Sequence, residues 1–211
     1  MIVRAKYSKG EEVKYVGHLD SMRTFIRCIK RTCLPIKYSA GFNPRVQISF
    51  ALPLGVGVTS ESEYFDLELE SKMNETLLMG ELNSVLPVGF KIREVKFIED
   101  KKSLMSLVKE AVYEITVEGE FEFLNVIELF EQNEVMLEKE SKNKKEMKEF
   151  NLKDYILDIN FDEQKSKIIV HSTAGSVNNM NPQFIIKAIE KYVGKVEDYE
   201  IHRKELILDI I

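Results

Sequence analysis

The chain has 211 residues, of which 44% are hydrophobic and 31% are charged, and its formal net charge is −5. This composition is typical of a folded globular protein and excludes a disordered polyelectrolyte. No apolar run approaches the roughly 20 residues that cross a bilayer, and the first residues lack the apolar core of a secretion signal, so we expect a cytoplasmic protein.

The first element along the chain is a strand, because Val3, Ala5 and Tyr7 alternate with Arg4 and Lys6. An extended segment then leads to a helix predicted over residues 19–33. Its apolar residues share one face and predict a buried contact, Leu19, Met22, Phe25, Ile26, Ile29 and Cys33. Its basic residues share an adjoining face, Arg23, Arg27, Lys30 and Arg31.

This basic face of the helix is either an ordinary solvated surface or an anion-binding site. Residues 1–50 contain ten Lys or Arg and three Asp or Glu, a net charge of +7, whereas the other residues contain twenty and thirty-two, a net charge of −12. Because the local field decides what a surface attracts, this uneven distribution favours an anion-binding site.

An unusual turn follows the helix. Pro35 ends the helical pattern, residues 36–39 fit a short strand, and Ala40-Gly41-Phe42-Asn43-Pro44-Arg45 predicts a turn, because glycine and asparagine tolerate rare backbone angles and proline stops a strand. Phe42 either tucks under this turn as a plug or stands out as a stacking platform. A further strand is predicted over 46–54 from its alternating pattern.

The rest of the first half predicts a strand over 63–69, a helix over 75–86 with Asn74 as its N-cap, and a strand over 90–98. The second half predicts a strand over 112–118, a helix over 121–132, a strand from 134 to 137, a hairpin of 155–161 with 167–172, a helix over 181–192 and a strand over 199–210. The charged segment 138–149 predicts a mobile loop or hairpin tip.

Both halves therefore share the order β-α-β-β-α-β, with a long, decorated middle in the second half. We predict an α+β protein of two tandem ferredoxin-like units, residues 1–100 and 110–211, each with an antiparallel sheet and helices on one face.

Few residues have the spacing of a known chemical motif. Gly55-Val56-Gly57 lacks the third glycine and the helix of a dinucleotide site. His18, Asp20 and Arg23 cluster at the start of the first helix and predict either a small polar site or structural roles. His171 and His202 lie far apart in the chain, so no metal site and no cofactor is predicted.

The run HLDSMRTFIRCIKRTCLPIKYSAGFNPRVQISFALPLGVGV at residues 18–58, followed by SEYFDLEL at 62–69, resembles the signature of the radical SAM-linked family of bacterial proteins. Members of that family are encoded beside a radical SAM protein or fused to one, so the resemblance implies a radical SAM partner. The family typically has another histidine after the Asn-Pro of the turn, where this chain has Arg45, and this difference argues against a metal at the turn.

The number of cysteines indicates whether this chain would be the radical SAM enzyme or its companion protein. A radical SAM enzyme needs three cysteines for its iron–sulfur cluster, and this chain has only Cys28 and Cys33. We therefore expect a companion protein without catalytic activity of its own, which binds RNA or another anion through the basic face, Phe42, Asn43 and Arg45.

Two alternatives stay open. One is a protein-interaction module that uses the basic face to dock an acidic partner. The other is a metal-independent endoribonuclease in which His18 acts as general acid or base, by analogy with the tandem ferredoxin-like enzymes that process CRISPR repeats.

Overall fold

The computed structural model describes residues 1–99, 102–140, 146–175 and 178–209, which contain five α-helices and ten β-strands. The predicted α+β class is confirmed. The chain divides into two compact units, one of Met1–Val108 with the residues from Glu205 onward, and one of Lys109–Lys204. Among the helices of the described ranges, none combines the length and apolar character that crossing a bilayer requires.

The first unit contains seven elements in chain order: β1 (Ile2–Lys9), α1 (His18–Ile29), β2 (Ile48–Phe50), β3 (Val58–Glu68), α2 (Glu75–Val85), β4 (Phe90–Ile98) and the short α3 (Leu104–Leu107). The strands lie in the order β4-β1-β3-β2, and each is antiparallel to its neighbour. Asn74 caps α2 as predicted, since its side chain accepts hydrogen bonds from the backbone N–H groups of Thr76 and Leu77.

An aromatic cluster forms the core of the first unit. The ring of Phe25 on α1 lies 4.8 Å from that of Tyr7 on β1 and 5.1 Å from that of Phe90 on β4, measured between centroids. Phe25 and Ile29 are almost fully buried, which confirms that the apolar face of α1 packs on the sheet. Leu19 departs from the prediction and is exposed in the first turn of the helix.

Helix α1 ends at Ile29, four residues before the predicted end. The hydroxyl of Thr32 donates to the carbonyl of Ile29, and the backbone N–H of Thr32 donates to that same carbonyl at 3.1 Å. These local bonds form a tight turn in place of a further helical turn. Cys33 therefore lies outside the helix and is exposed, whereas Cys28 is buried.

The strand predicted over 46–54 is much shorter in the structure, where β2 covers only Ile48–Phe50. The N–H of Ala51 still donates to Tyr64 O, but Pro53 has no N–H to continue the ladder. Strand β3 begins at Val58, earlier than predicted, and pairs along its length with β1.

The second unit contains α4 (Phe123–Glu131), β6 (Met136–Glu140), β7 (Met147–Asn151), β8 (Ile156–Asp162), β9 (Lys167–Thr173) and α5 (Gln183–Tyr192), with most of β5 (Val108–Gly119) and of β10 (Val196–Leu208). Its sheet has the order β10-β5-β9-β8. Along β5 the residues alternate between a buried face and a half-exposed face, and the buried ones are Ala111, Tyr113, Ile115 and Val117. The last residue of the predicted strand 199–210 lies outside the described residues.

The charged segment 138–149 contributes to a separate two-stranded sheet of β6 and β7, although its residues 141–145 lie outside the described ones. The ammonium of Lys139 lies 4.5 Å from the ring centroid of Phe150 and 5.0 Å from that of Tyr155, and it donates to the Tyr155 hydroxyl. These cation–π contacts anchor a strand that the charge content alone does not predict.

Candidate anion-binding site

The basic face of α1, Arg23, Arg27, Lys30 and Arg31, lies away from the aromatic core, and all four residues are exposed. Their surroundings differ. Arg23 Nη1 donates to Asp20 Oδ1 at 2.8 Å, and both side chains are about two-thirds exposed. An exposed pair of this kind is weak, so Arg23 is only loosely held.

Arg31 connects α1 to the end of α2. Its Nη2 donates to the carbonyl of Val85 at 2.6 Å and to the sulfur of Cys28 at 3.4 Å. The carbonyls at a helix C-terminus carry partial negative charge, which a guanidinium stabilises. Arg31 is therefore fixed in direction before any ligand arrives.

Arg27 and Lys30 are the unpaired members of the basic face. Within the part of the chain that the structure describes, neither side chain makes a hydrogen bond or an ion pair. Their full charge is thus available to an external anion.

A cavity of about 280 Å³ opens on this side of α1. Its lining is formed by Thr24, Arg27 and Cys28 of α1, by Arg31 in the turn that follows α1, and by Val85 and Pro87 at and just after the end of α2. Thr24 and Arg27 reach the same cavity because residues three apart share a face of a helix, and the turn after α1 brings Arg31 to it as well. The cavity therefore combines two guanidinium groups, a hydroxyl and an apolar wall.

The 40–45 turn is the tip of a small hairpin. The N–H of Ser39 donates to Arg45 O at 2.8 Å, and the N–H of Arg45 donates to Ser39 Oγ at 3.0 Å. Gly41 has a φ of 114°, a backbone angle that favours glycine at this position. These bonds hold the hairpin on both sides of its tip.

Phe42 stands fully exposed at this tip, with a relative accessibility of 112%. The plug interpretation is therefore wrong, because the ring is not covered by any of the residues that the structure describes. Asn43 and Arg45 are also exposed, and the Arg45 guanidinium makes no hydrogen bond or ion pair to any described residue.

His18 lies at the first position of α1 and is half-buried. Its ring meets that of Phe50 edge-on, with centroids 6.1 Å apart. Burial lowers the pKa of His18, and the charge of Lys9 lowers it further, so both effects favour the neutral imidazole. The described residues contain no hydrogen bond from His18 to Asp20 or Arg23. The predicted polar cluster is thus divided into an Asp20–Arg23 pair and a separate histidine.

Lys9 is a site residue that the sequence analysis did not identify. It is 4% exposed, and its ammonium donates to the carbonyls of Lys14 at 3.0 Å and Val16 at 2.8 Å. Burial lowers its pKa, and the nearby charge of Glu63 opposes that shift. The sequence pattern indicates the burial of Lys9, since this residue is the next in the inward-facing series Val3, Ala5 and Tyr7.

The other histidines do not form a metal centre. His171 Nε2 lies 2.7 Å from Glu110 Oε2 on the neighbouring strand. Across residues 1–99, 102–140, 146–175 and 178–209, no group of three His, Cys, Asp or Glu is close enough to hold a metal ion. Two residues of the loop at 172–181 lie outside the described ranges.

A family model for an uncharacterized protein conserved in bacteria (DUF2344) matches residues 3–182 of the chain. The match spans the whole predicted signature and most of the second unit. No curated protein matches the chain.

Proposed function

The chain belongs to the bacterial family DUF2344, and we propose that it binds single-stranded RNA through the phosphate backbone, with the basic face of α1 and the 40–45 turn as contact surface. The observation that carries the proposal is the pair of unpaired cations, Arg27 and Lys30, exposed on one helix face.

The charge distribution supports this surface. Outside its first fifty residues the chain has an excess of twelve acidic groups, yet Arg27, Lys30 and Arg45 have no acidic partner among the described residues. Unpaired cations attract polyanions, and each phosphate contact releases a condensed counterion.

Phe42 supplies a contact for the bases. A ring exposed at the tip of a hydrogen-bonded hairpin loses little freedom on binding, and any base can stack on it. Phosphate contacts from arginine with stacking on an aromatic ring are the usual way to bind single strands without sequence preference.

We also propose that each unit is ferredoxin-like. The order β4-β1-β3-β2 in the first unit and β10-β5-β9-β8 in the second, once the β6–β7 hairpin is set aside, both support this arrangement. The half-exposed face of β5 and β9 in the second unit contains no Phe, Tyr or Trp, and its one aromatic ring, that of His171, lies 2.7 Å from the Glu110 carboxylate; the face consists of Glu110, Val112, Glu114, Thr116, Lys167, Ile169, His171 and Thr173. This favours RNA binding at α1 over binding on that sheet face.

The proposed partner is a radical SAM protein, for which this chain would present or hold an RNA substrate. The motive is the resemblance of residues 18–69, together with the presence of only two cysteines. Affinity purification of the tagged chain from its native host tests this. Recovery of a radical SAM protein is expected, and repeated recovery without one contradicts it.

RNA binding is tested by fluorescence anisotropy with a labelled 20-nucleotide single strand across a salt series. We expect affinity to fall with salt, and Arg27→Ala and Lys30→Ala each to reduce the slope of log affinity against log salt by about 0.7. Lys165→Ala, which removes an exposed cation from the second unit, is the matched control and leaves the slope unchanged.

Either of two results would favour a different function. Partner capture that survives nuclease and is lost on Arg27→Glu would favour the protein-interaction module. Cleavage of the RNA in chelator to a 2′,3′-cyclic end, lost in His18→Ala, would favour the endoribonuclease. We expect the RNA to remain intact. The charged group that lowers the pKa of His18 is Lys9, and its ammonium already donates hydrogen bonds to two backbone carbonyls, so it is not available to assist His18 in the reaction.

A further inference from the structure

We propose that the cavity beside α1 receives a terminal phosphate monoester, and that its source is the 5′ end of the RNA. The inference rests on the proposed function, because it assigns one part of the same surface to one part of the same ligand. It adds a preference for a chain end over internal backbone.

The charge of the cavity fits a monoester. Arg27 in the last turn of α1 and Arg31 in the tight turn that follows both line it. A phosphate monoester carries nearly two negative charges at pH 7, because its second pKa is about 6, whereas an internal diester carries one. Two guanidinium groups on one small cavity therefore match the terminal group better than the internal one.

The donors are arranged before the ligand binds. The Nη2 of Arg31 is held by Val85 O and Cys28 Sγ, which leaves its other N–H groups free to donate. The same bond from Arg31 offsets the partial negative charge at the end of α2, which would otherwise repel an anion. Arg27 makes no hydrogen bond or ion pair within the described residues, and its guanidinium is free to close on the phosphate.

The size and the remaining lining fit a phosphate with its sugar. A volume of about 280 Å³ lies at the lower limit of small-molecule sites, so it holds one nucleotide end rather than a longer segment. Thr24 supplies a hydroxyl for an additional phosphate oxygen. Val85 and Pro87 supply an apolar wall against which the C–H groups of a ribose can pack.

The test compares two RNAs of the same sequence, one with a 5′-phosphate and one with a 5′-hydroxyl, by anisotropy at fixed salt. We expect the 5′-phosphate to bind about tenfold more tightly, the effect of one charge-assisted hydrogen bond. Arg27→Gln should abolish this ratio and Thr24→Val should reduce it. Lys30→Gln is the matched control, since it removes another exposed, unpaired cation of the basic face that does not line the cavity, so it should weaken both RNAs alike and leave the ratio unchanged.

Each alternative outcome is decisive for one of the two proposals. Equal affinity for the two RNAs overturns the cavity assignment and leaves RNA binding intact. The same conclusion follows if Arg27→Gln and Lys30→Gln reduce the ratio of the two affinities equally. If neither RNA binds but a nucleoside 5′-monophosphate does, with loss in Arg27→Gln, the proposed function fails and the phosphate site has a free nucleotide as its ligand. Circular dichroism of each variant verifies that the fold is retained.

Discussion

The ion pair between Arg4 on β1 and Asp66 on β3 offers the sharpest test of the packing of the first unit. The Arg4 guanidinium makes two hydrogen bonds of 2.8 Å to the two carboxylate oxygens of Asp66. Both side chains are nearly buried, with relative accessibilities of 7% and 11%. The perturbation is Arg4→Met, which keeps most of the side-chain volume but leaves a buried carboxylate without its partner.

Breaking a buried pair from one side costs about 3–5 kcal/mol, because the remaining charge has lost its solvent and its partner together. Total stabilities of about 5–15 kcal/mol are usual, so this loss is a large fraction of the whole. The double variant Arg4→Met with Asp66→Leu removes both charges and should recover most of the loss. Lys37→Met is the control, since it breaks the exposed pair of Lys37 with Glu68, also on β3, at a cost of about 0–1 kcal/mol.

The assay is urea unfolding followed by far-ultraviolet circular dichroism, since the chain has no tryptophan. The predicted order of stability is wild type, then Lys37→Met and the double variant, then Arg4→Met well below. If Arg4→Met costs no more than Lys37→Met, the two side chains are not held in a buried pair and the described register of β1 with β3 is wrong.

Three further predictions concern single positions. Because the pKa of His18 is lowered from its ordinary 6.5, the folded state binds fewer protons than the unfolded state between the two values. The free energy of unfolding should therefore rise as pH increases through that window, and His18→Gln should flatten the rise; an unchanged profile contradicts the burial of His18. Asn74→Ala should cost about 1 kcal/mol in urea unfolding through loss of the α2 cap, whereas Asn74→Asp should cost little, and equal losses contradict the cap. Phe42→Ala should change stability by less than about 0.5 kcal/mol yet weaken RNA binding by about 1–3 kcal/mol, and a large loss of stability would mean that the ring is packed rather than exposed.

Much of the first unit could be predicted because its signals are local. The alternation in β1 and the helical period of α1 determine which side chains face the core, and Phe25 and Ile29 lie there. The basic face follows from the same period. The contacts of each cation do not follow from that period, since Arg31 is held by Val85, 54 residues away in the chain.

The errors have a common physical cause, which is that tertiary contacts lie outside the local pattern. Lys9 follows the inward period of its strand, and two backbone carbonyls that no local pattern reveals make the burial of its ammonium possible. The sequence leaves Phe42 as either a plug or a stacking platform, because local pattern does not show whether a ring is covered; among the described residues nothing covers it. The charged segment after Leu137 contributes to strands because Lys139 packs against Phe150 and Tyr155.

Contact of RNA with the basic face of α1 and the 40–45 turn is tested most directly by amide chemical-shift mapping during titration with a 5′-phosphorylated single strand. The largest shifts should fall on residues 23–31 and 40–45, with β8 and β9 of the second unit unaffected. Shifts concentrated on β8 and β9, with α1 unchanged, would contradict it.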